Sequence, residues 1–303
     1  MNYSPKGTKE VLESNNFNFK KKFGQNFIVD ENTINSIINK ANIDSDTLVI
    51  EIGPGAGALT YKLSQVSKNV VCYEIDKTLE NILKSNLKDS NNVEIIFDDF
   101  LKRNVKDDIN KYRYSKLYVV ANLPYYVTTP IIVKLIEDNI NVDRIVVMVQ
   151  KEVGDRFKAM PGTKDYNSLS IFINYYYDVK KVLDVSRNVF MPMPNVDSIV
   201  LSLDKKDVIY ELEDKDYFFK LVRDSFKQKR KTIRNNLKEY NLDIVEKVLE
   251  RSNFDLSTRA ENIPINVFVD IANELVKYDR KWLGWNIKGW IFKTIFWRVI
   301  KLC

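Results

Sequence analysis

The feature that most restricts what this chain can fold into is the run Val49-Ile50-Glu51-Ile52-Gly53-Pro54-Gly55-Ala56-Gly57-Ala58-Leu59-Thr60. A short apolar stretch of strand character passes through three glycines and into a helix-forming segment. Glycine takes positive φ without a Cβ penalty, so the backbone can turn sharply there and lie close against a ligand. A buried strand that runs through such a turn into a helix is the opening unit of a doubly wound α/β sheet, with its nucleotide crevice at the strand ends. The spacing departs from G-x-G-x-x-G, which lowers the case for NAD. Many α/β loops use glycine only to turn, so the motif needs support from elsewhere.

That support comes from the rhythm of the chain. Short apolar runs at 48–52, 70–75, 93–97, 117–121 and 144–149 alternate with stretches long enough for crossover helices. The alternation predicts a mostly parallel, Rossmann-like doubly wound sheet. Two further runs, 170–184 and 197–203, read as an antiparallel hairpin closing the sheet edge. After Asp204 a charged stretch leads into amphipathic helices without strand signals. The expected layout is therefore a flexible segment at 1–20, an α/β domain at 21–203, a small all-α domain at 204–277 and a tail at 278–303. A chain of 303 residues has room for one large domain and a smaller one.

Two acidic positions make the crevice specific. Glu74 closes Val70-Val71-Cys72-Tyr73-Glu74, about twenty residues past the glycine turn. A carboxylate there is placed to accept both hydroxyls of a ribose. Asp98 and Asp99 end the third strand, where one of them can accept from the amino group of a cofactor adenine. Either also suits the N-cap of the following helix.

The second informative motif lies about seventy residues on, in Val119-Val120-Ala121-Asn122-Leu123-Pro124-Tyr125-Tyr126. An exocyclic adenine amine is a poor nucleophile because its lone pair is delocalised into the ring. Two acceptors, the Asn122 side-chain oxygen and the backbone carbonyl before Pro124, can take both N–H groups and draw the nitrogen toward sp³. Tyr125 can stack on the base, an interaction of about 1–3 kcal/mol in single-strand binders. Attack on a methyl sulfonium neutralises its charge, so orientation and hydrogen bonding suffice without a strong general base. A plain strand-ending turn is the simpler account of Pro124-Tyr125. Farther along, Phe190-Met191-Pro192-Met193-Pro194-Asn195-Val196-Asp197-Ser198 reads as a stiff extended loop that can hold Phe190 as a second face for a base.

Composition removes several classes. The chain has no histidine, which excludes His triads, His metal sites and imidazole acid–base chemistry. Its two cysteines, Cys72 and Cys303, cannot make a Cys-rich zinc site, and no metal is expected. A polar, lysine-rich N-terminal stretch shows no secretory pattern, so a cytoplasmic location is expected. The net charge of +6 favours a polyanionic partner. Between Lys220 and Lys238 lie Arg223, Lys227, Lys229, Arg230, Lys231 and Arg234, opposed only by Asp224, and this reads as a basic helix facing nucleic acid. A solvated basic face is the bland alternative. The stretch 281–303 carries all four tryptophans, five basic residues and no acidic one, and is too short and too basic for a transmembrane helix. A membrane-surface helix, a docking helix and a non-native extension all remain open for it.

The motifs also occur in a specific order. Lys22-Phe23-Gly24-Gln25-Asn26-Phe27, the glycine turn, Asn122-Leu123-Pro124-Tyr125, Gln150-Lys151-Glu152-Val153, Phe190 through Ser198, and Arg230-Lys231-Thr232-Ile233-Arg234-Asn235-Asn236-Leu237 follow one another. In this the chain resembles the ribosomal RNA adenine dimethyltransferase family, and in particular its bacterial small-subunit branch, over roughly residues 18–277. The resemblance implies that S-adenosyl-L-methionine is bound by Asn26, Ile28, Gly53, Glu74, Asp99 and Asn122, with Gln25 of the same N-terminal motif helping to close the pocket; the glycine turn adds Gly55 as a point of close backbone approach. It implies that Asn122, Leu123, Pro124, Tyr125 and Phe190 hold the target adenine. It further implies dimethylation of two adjacent adenosines near the 3′ end of 16S rRNA in an immature 30S subunit, with a role in its biogenesis, by a monomer. Methylation of a 23S rRNA adenosine, methylation of DNA adenine, and a purely binding role in subunit assembly are the competing readings. Ile28 stands where the family usually has Leu, and Tyr126 where some members have Asn; neither removes a group the chemistry needs. The tail past about 278 has no counterpart in the resemblance.

Overall fold

The structure, a computed structural model, describes residues 5–14, 17, 19–20, 23–207 and 210–283. The chain divides into two compact units, one of residues up to 154 with 178–205, the other of 155–177 with residues from 206 onward. The sequence places a single boundary near 204; the second unit also takes the excursion 155–177.

The first unit is built on nine strands: β1 (Phe27–Ile28), β2 (Thr47–Ile52), β3 (Asn69–Tyr73), β4 (Val93–Ile96), β5 (Lys116–Asn122), β6 (Arg144–Gln150), β7 (Tyr177–Val185), β8 (Phe190–Met191) and β9 (Ser198–Lys205). Seven of them form one sheet in the order β4-β3-β2-β5-β6-β9-β7, while β1 and β8 pair as a separate antiparallel ribbon. β2 runs parallel to β3 and β5, with Ile50 opposite Val71 on one side and Val119 on the other. All six residues of β2 are buried, as expected of a central strand covered on both faces. From β2 the chain winds outward to β3 and β4, then returns to place β5 on the opposite flank of β2. The strand order therefore reverses between β2 and β5, and the crevice at their carboxyl ends is where such sheets bind ligands. β9 runs antiparallel to β6, and β7 flanks β9 at the edge.

One apolar cluster of this unit gathers Ile34, Val49, Leu59, Leu63, Val70, Tyr118 and Val146. A second gathers Leu12, Phe27, Ala56, Leu79, Ile82 and Leu83. Leu12 belongs to a helix, Pro5–Ser14, within the segment expected to be flexible. Burying Leu12 gives that helix a reason to dock, since a buried leucine contributes about 2 kcal/mol.

The second unit is helical, with Ser168–Tyr176, Lys215–Ser225, Ile233–Asn236, Leu242–Arg251 and Ile265–Leu283 among its helices. Phe218, Leu221, Ile233, Val245, Phe268 and Ile271 form its core. Two sequence expectations are corrected here. The run 170–184 is not one strand: Asn167 caps a helix over Ser168–Tyr176 through a reciprocal capping box with Ser170, and only the following residues form β7. Nor do the basic residues of 220–238 share a helix. The helix stops at Ser225, Lys227, Lys229, Arg230 and Lys231 lie in the connecting loop, and Arg234 sits in a single turn beyond it. Asn236 fixes that loop, donating to Ser225 O at 2.6 Å and accepting from Gln228 N at 3.2 Å. Among the described residues no helix is long and apolar enough to cross a membrane. Residues 284–303 of the tryptophan-rich tail lie outside the described residues.

Candidate active site

The ends of β2, β3 and β5 open into a cleft of about 1100 Å³, including its mouth, lined by the glycine turn, the segment after β3, Asp98 to Leu101, Asn122 to Val127 and residues 23–28. Gly53, Gly55 and Gly57 have φ of 77°, 59° and 88°, all in the left-handed region. Gly53 donates to Tyr73 O at 2.9 Å, which welds the turn to β3. At Gly55 a Cβ would stand 2.5 Å from the Phe27 ring, so this position has no room for a side chain even before backbone strain is counted. The turn leads directly into the helix Ala58–Val66, whose first residues Ala58 and Leu59 line the cleft. Free N–H groups of that first turn favour polar or anionic ligand groups.

Glu74, just past β3, is 4% exposed and accepts from Gly55 N at 3.2 Å and Asp76 N at 2.8 Å, one bond on each carboxylate oxygen. Each oxygen keeps a further lone pair for a ligand hydroxyl. Burial pushes its carboxyl up to about 7, with the two N–H donors working in the other direction. Asp99 caps the turn Phe100–Lys102 by accepting from Leu101 N at 3.0 Å, as read from sequence, and it also lines the cleft. Asp98 lines the cleft as well, within 3.5 Å of Arg103.

At the end of β5, Asn122 donates through Nδ2 to Asn26 O at 2.8 Å, and its Oδ1 has no hydrogen-bond partner among the described residues. Leu123 donates its N–H to Met148 O at 3.2 Å, while its carbonyl precedes Pro124 and likewise has no partner among the described residues. Two acceptors on adjacent residues thus border the cleft unsatisfied. Tyr125 lines the same wall, its hydroxyl 2.8 Å from Ser198 Oγ, so the ring is anchored at its far end. Burial raises its phenol, which stays protonated.

Residues 23–28 close the remaining side. Gln25, Asn26 and Ile28 all line the cleft, and Asn26 donates to Gly24 O at 3.1 Å. Of the residues expected to hold the cofactor or the target base, Phe190 is the one that does not line the cleft. It is 4% exposed, opposite Ile28 in the β1–β8 ribbon, and packs in the cluster with Ile34, Leu59 and Val200. Hydrophobic burial wins over exposure of a ring at the rim. The expected basic residues Lys227, Lys229, Arg230, Lys231 and Arg234 are exposed, Arg223 half-buried, all in the second unit. Lys229 donates to Lys164 O at 2.7 Å.

Several lining residues escaped the sequence reading. Glu51, a lone charge in the apolar β2 run, is 1% exposed, and burial pushes its carboxyl up to about 8. Tyr126 is 56% exposed at the mouth, its ring edge 3.2 Å from where a Cβ on Gly24 would stand. Ile75, 43% exposed, adds an apolar surface beside Glu74. The lone carboxylate in β2 was a visible signal; the other two have none at the sequence level. A purine nucleoside fits this donor set: a carboxylate for ribose, Ile75 and Leu101 for the base, Asp99 for an amino group, and a glycine turn open to close approach.

Comparison with known proteins places the chain among related sequences and folds. A family model described as ribosomal RNA adenine dimethylase matches residues 16–277. A protein of Macrococcus caseolyticus named ribosomal RNA small subunit methyltransferase A is 46% identical over 285 residues, covering 91% of this chain and 96% of the relative. Its Staphylococcus aureus namesake is 43% identical over 284 residues, with the same coverages of 91% and 96%. Among solved structures, a dimethyladenosine transferase from Plasmodium falciparum superposes with a TM-score of 0.69 at 26% identity, covering 84% of this chain and 98% of that one. The 23S rRNA methyltransferase ErmE superposes with a TM-score of 0.66 at 24% identity over 82% of this chain and 99% of its own, which speaks to the fold alone.

Proposed function

The chain belongs to the ribosomal RNA adenine dimethylase family, and from that membership we infer that it dimethylates adenosine N6 of rRNA with S-adenosyl-L-methionine as methyl donor. The substrate is the pair of adjacent adenosines in the 3′-terminal hairpin of 16S rRNA, met in an immature 30S subunit in the cytoplasm by a monomeric enzyme. Identity of 43–46% to proteins named for the small subunit favours this over a 23S target, to which only a fold-level likeness points.

S-adenosylmethionine supplies an electrophilic methyl on sulfonium when bound. Glu74 receives the ribose hydroxyls, Asp99 the adenine amine, and Gly53 and Gly55 let the backbone approach. Gln25, Asn26 and Ile28 wall the cofactor in. Asn122 Oδ1 and Leu123 O accept the two N–H groups of the flipped target adenine, aligning the nitrogen lone pair toward the methyl group. Pro124 fixes the direction of the Leu123 carbonyl, and Tyr125 carries the base on its ring. Extracting a base from its stack costs a few kcal/mol, which ring stacking and the two hydrogen bonds offset. The amine proton leaves to solvent after transfer, so the absence of histidine is no obstacle. Phe190, a buried residue of the β1–β8 ribbon, supports the wall rather than the base. The observation that carries this reading is that Asn122 and Leu123, each with an acceptor left unpaired among the described residues, line the same cleft as Glu74.

Methyl transfer to undermodified 30S subunits, 50S subunits and naked rRNA, with modified nucleosides mapped by mass spectrometry, tests it. Dimethyladenosine confined to the 16S 3′ hairpin is expected. Modification of 23S rRNA with 16S left untouched would reverse the assignment. Binding of immature subunits without any transfer would favour an assembly role.

A further inference from the structure

Asp76, which the reaction above does not use, is the buried centre of a hydrogen-bond network. Its carboxylate accepts from Lys20 Nζ at 2.7 Å, Gln25 Nε2 at 2.7 Å and Thr78 Oγ1 at 2.7 Å, and from Thr78 N at 3.1 Å. The residue is 2% exposed. Its own N–H donates to Glu74 Oε1 at 2.8 Å. Gln25 completes a ring by accepting from Lys20 N at 2.8 Å through Oε1. Burial works to raise the Asp76 carboxyl, but its hydrogen bonds from Lys20, Thr78 and Gln25 outweigh that and hold it below the usual carboxylate range. It is therefore a buried anion kept ionised by the segment it binds.

That segment walls the cleft through Gln25, Asn26, Phe27 and Ile28. The segment is also held by the Asn122 Nδ2 bond to Asn26 O, by the Phe27 ring against Gly55 and by the pairing of Phe27 and Ile28 with Met191 and Phe190. One acid therefore joins the strap, by side chain, to the ribose-facing carboxylate, by backbone. We propose that Asp76 is a positioning residue for the cofactor, stapling the strap formed by Lys20 and residues 23–28 over the cleft and orienting Glu74, so that the staple governs how fast the cofactor is released. This rests on the cofactor assignment above.

The test uses the full chain with Asp76→Asn, Lys20→Met and the double variant. Asparagine keeps an acceptor for Thr78, so the cap of Lys77–Leu79 survives, while the charge facing Lys20 is lost. S-adenosylhomocysteine binding is read by calorimetry, its release by stopped flow, and strap closure by amide hydrogen exchange at residues 26–28. Losing a charge-assisted bond should weaken affinity and speed release about tenfold in each single variant. The double variant should be no worse than the singles, because both cut the same link. Protection at 26–28 should fall, and kcat at saturating cofactor should change less than twofold. Lys20→Met, at a partly exposed lysine, carries the test if Asp76→Asn does not fold. Release and affinity within twofold of the parent in folded variants, or loss confined to kcat, would overturn the proposal. A parent protein that binds S-adenosylhomocysteine but methylates no 30S subunit would fault the RNA assignment instead, leaving the staple intact.

Discussion

With no histidine in the chain, the side chains that titrate near neutrality at the cleft are two carboxylic acids, Glu74 at about 7 and Glu51 at about 8, both raised first of all by burial. For Glu74 this has a sign. Ribose hydroxyls donate to an ionised carboxylate, so the complex favours the deprotonated form and affinity is lost as pH falls through about 7. The dissociation constant for S-adenosylhomocysteine should be level above pH 8 and rise about tenfold per unit well below 7, as one coupled proton requires. Glu74→Gln should bind weakly with a level profile, and calorimetry across pH 5.5–8.5 measures both. A level profile in the parent protein would remove Glu74 from the ribose. Asn122 gives a second test at this scale. Asn122→Ala removes an acceptor from the reacting amine, and losing one aligned hydrogen-bonding group of this kind typically lowers kcat about 10²–10³-fold. Subunit binding should be unchanged in a filter or sedimentation assay, since no phosphate contact is lost. Asn122→Asp keeps the acceptor but loses the bond to Asn26 O, and so separates the amine from the strap.

At the scale of elements, the glycine turn is held by packing as well as by its ligand. Gly55→Ala places a Cβ 2.5 Å from the Phe27 ring at a φ of 59°. Overpacking of this kind costs about 1–3 kcal/mol and a left-handed backbone about 1 more. The substitution should lower stability by roughly 2–4 kcal/mol in urea unfolding, and Phe27→Leu in the same chain should return part of it. If the single variant is as stable as the parent, Phe27 moves freely and the strap is not packed as described. The elements themselves were legible where one rule governs. Runs expected at 48–52, 70–75, 117–121 and 144–149 became β2, β3, β5 and β6 within two residues at each end, because a strand buried on both faces must be continuously apolar. The first half of the run 170–184 was misread as strand because isoleucine, phenylalanine and tyrosine favour strands locally, and the decisive signal was the Asn167 and Ser170 capping box at its start. Phe190 was misplaced for a different reason. A proline-rich loop says where the backbone is stiff and nothing about which way a ring turns, and that was settled by pairing with Ile28. The placement of Glu74, Asp99, Asn122 and Leu123 at the cleft was legible because each stands at or just past the end of a parallel strand, whereas the bonds that Asp76 makes to Lys20 and Gln25 span more than fifty residues and leave no local trace.

Across the whole molecule, the excess of +6 is not spread evenly, and where it sits bears on what the second unit does. Lys227, Arg230, Lys231 and Arg234 are exposed on a loop and a single turn that Asn236 holds by three hydrogen bonds, so the charges are presented on a fixed backbone. Asp224, the acid among them, is engaged by Lys220 at 2.7 Å and Tyr240 at 2.6 Å, and the nearby Lys227 charge adds to holding it ionised. A fixed cationic loop suits the phosphates of a folded RNA, recognised by shape, better than a long basic helix would. Replacing Lys227, Arg230 and Lys231 together by Glu should weaken binding to the 16S 3′ hairpin at low salt. It should also flatten the plot of log affinity against log salt by roughly 2–3, since each phosphate contact contributes about 0.9 to the slope. Binding of S-adenosylhomocysteine, which belongs to the other unit, should match the parent. A weaker complex with an unchanged slope would mean that the loop acts through something other than phosphate, and the RNA face would have to be sought elsewhere on the protein.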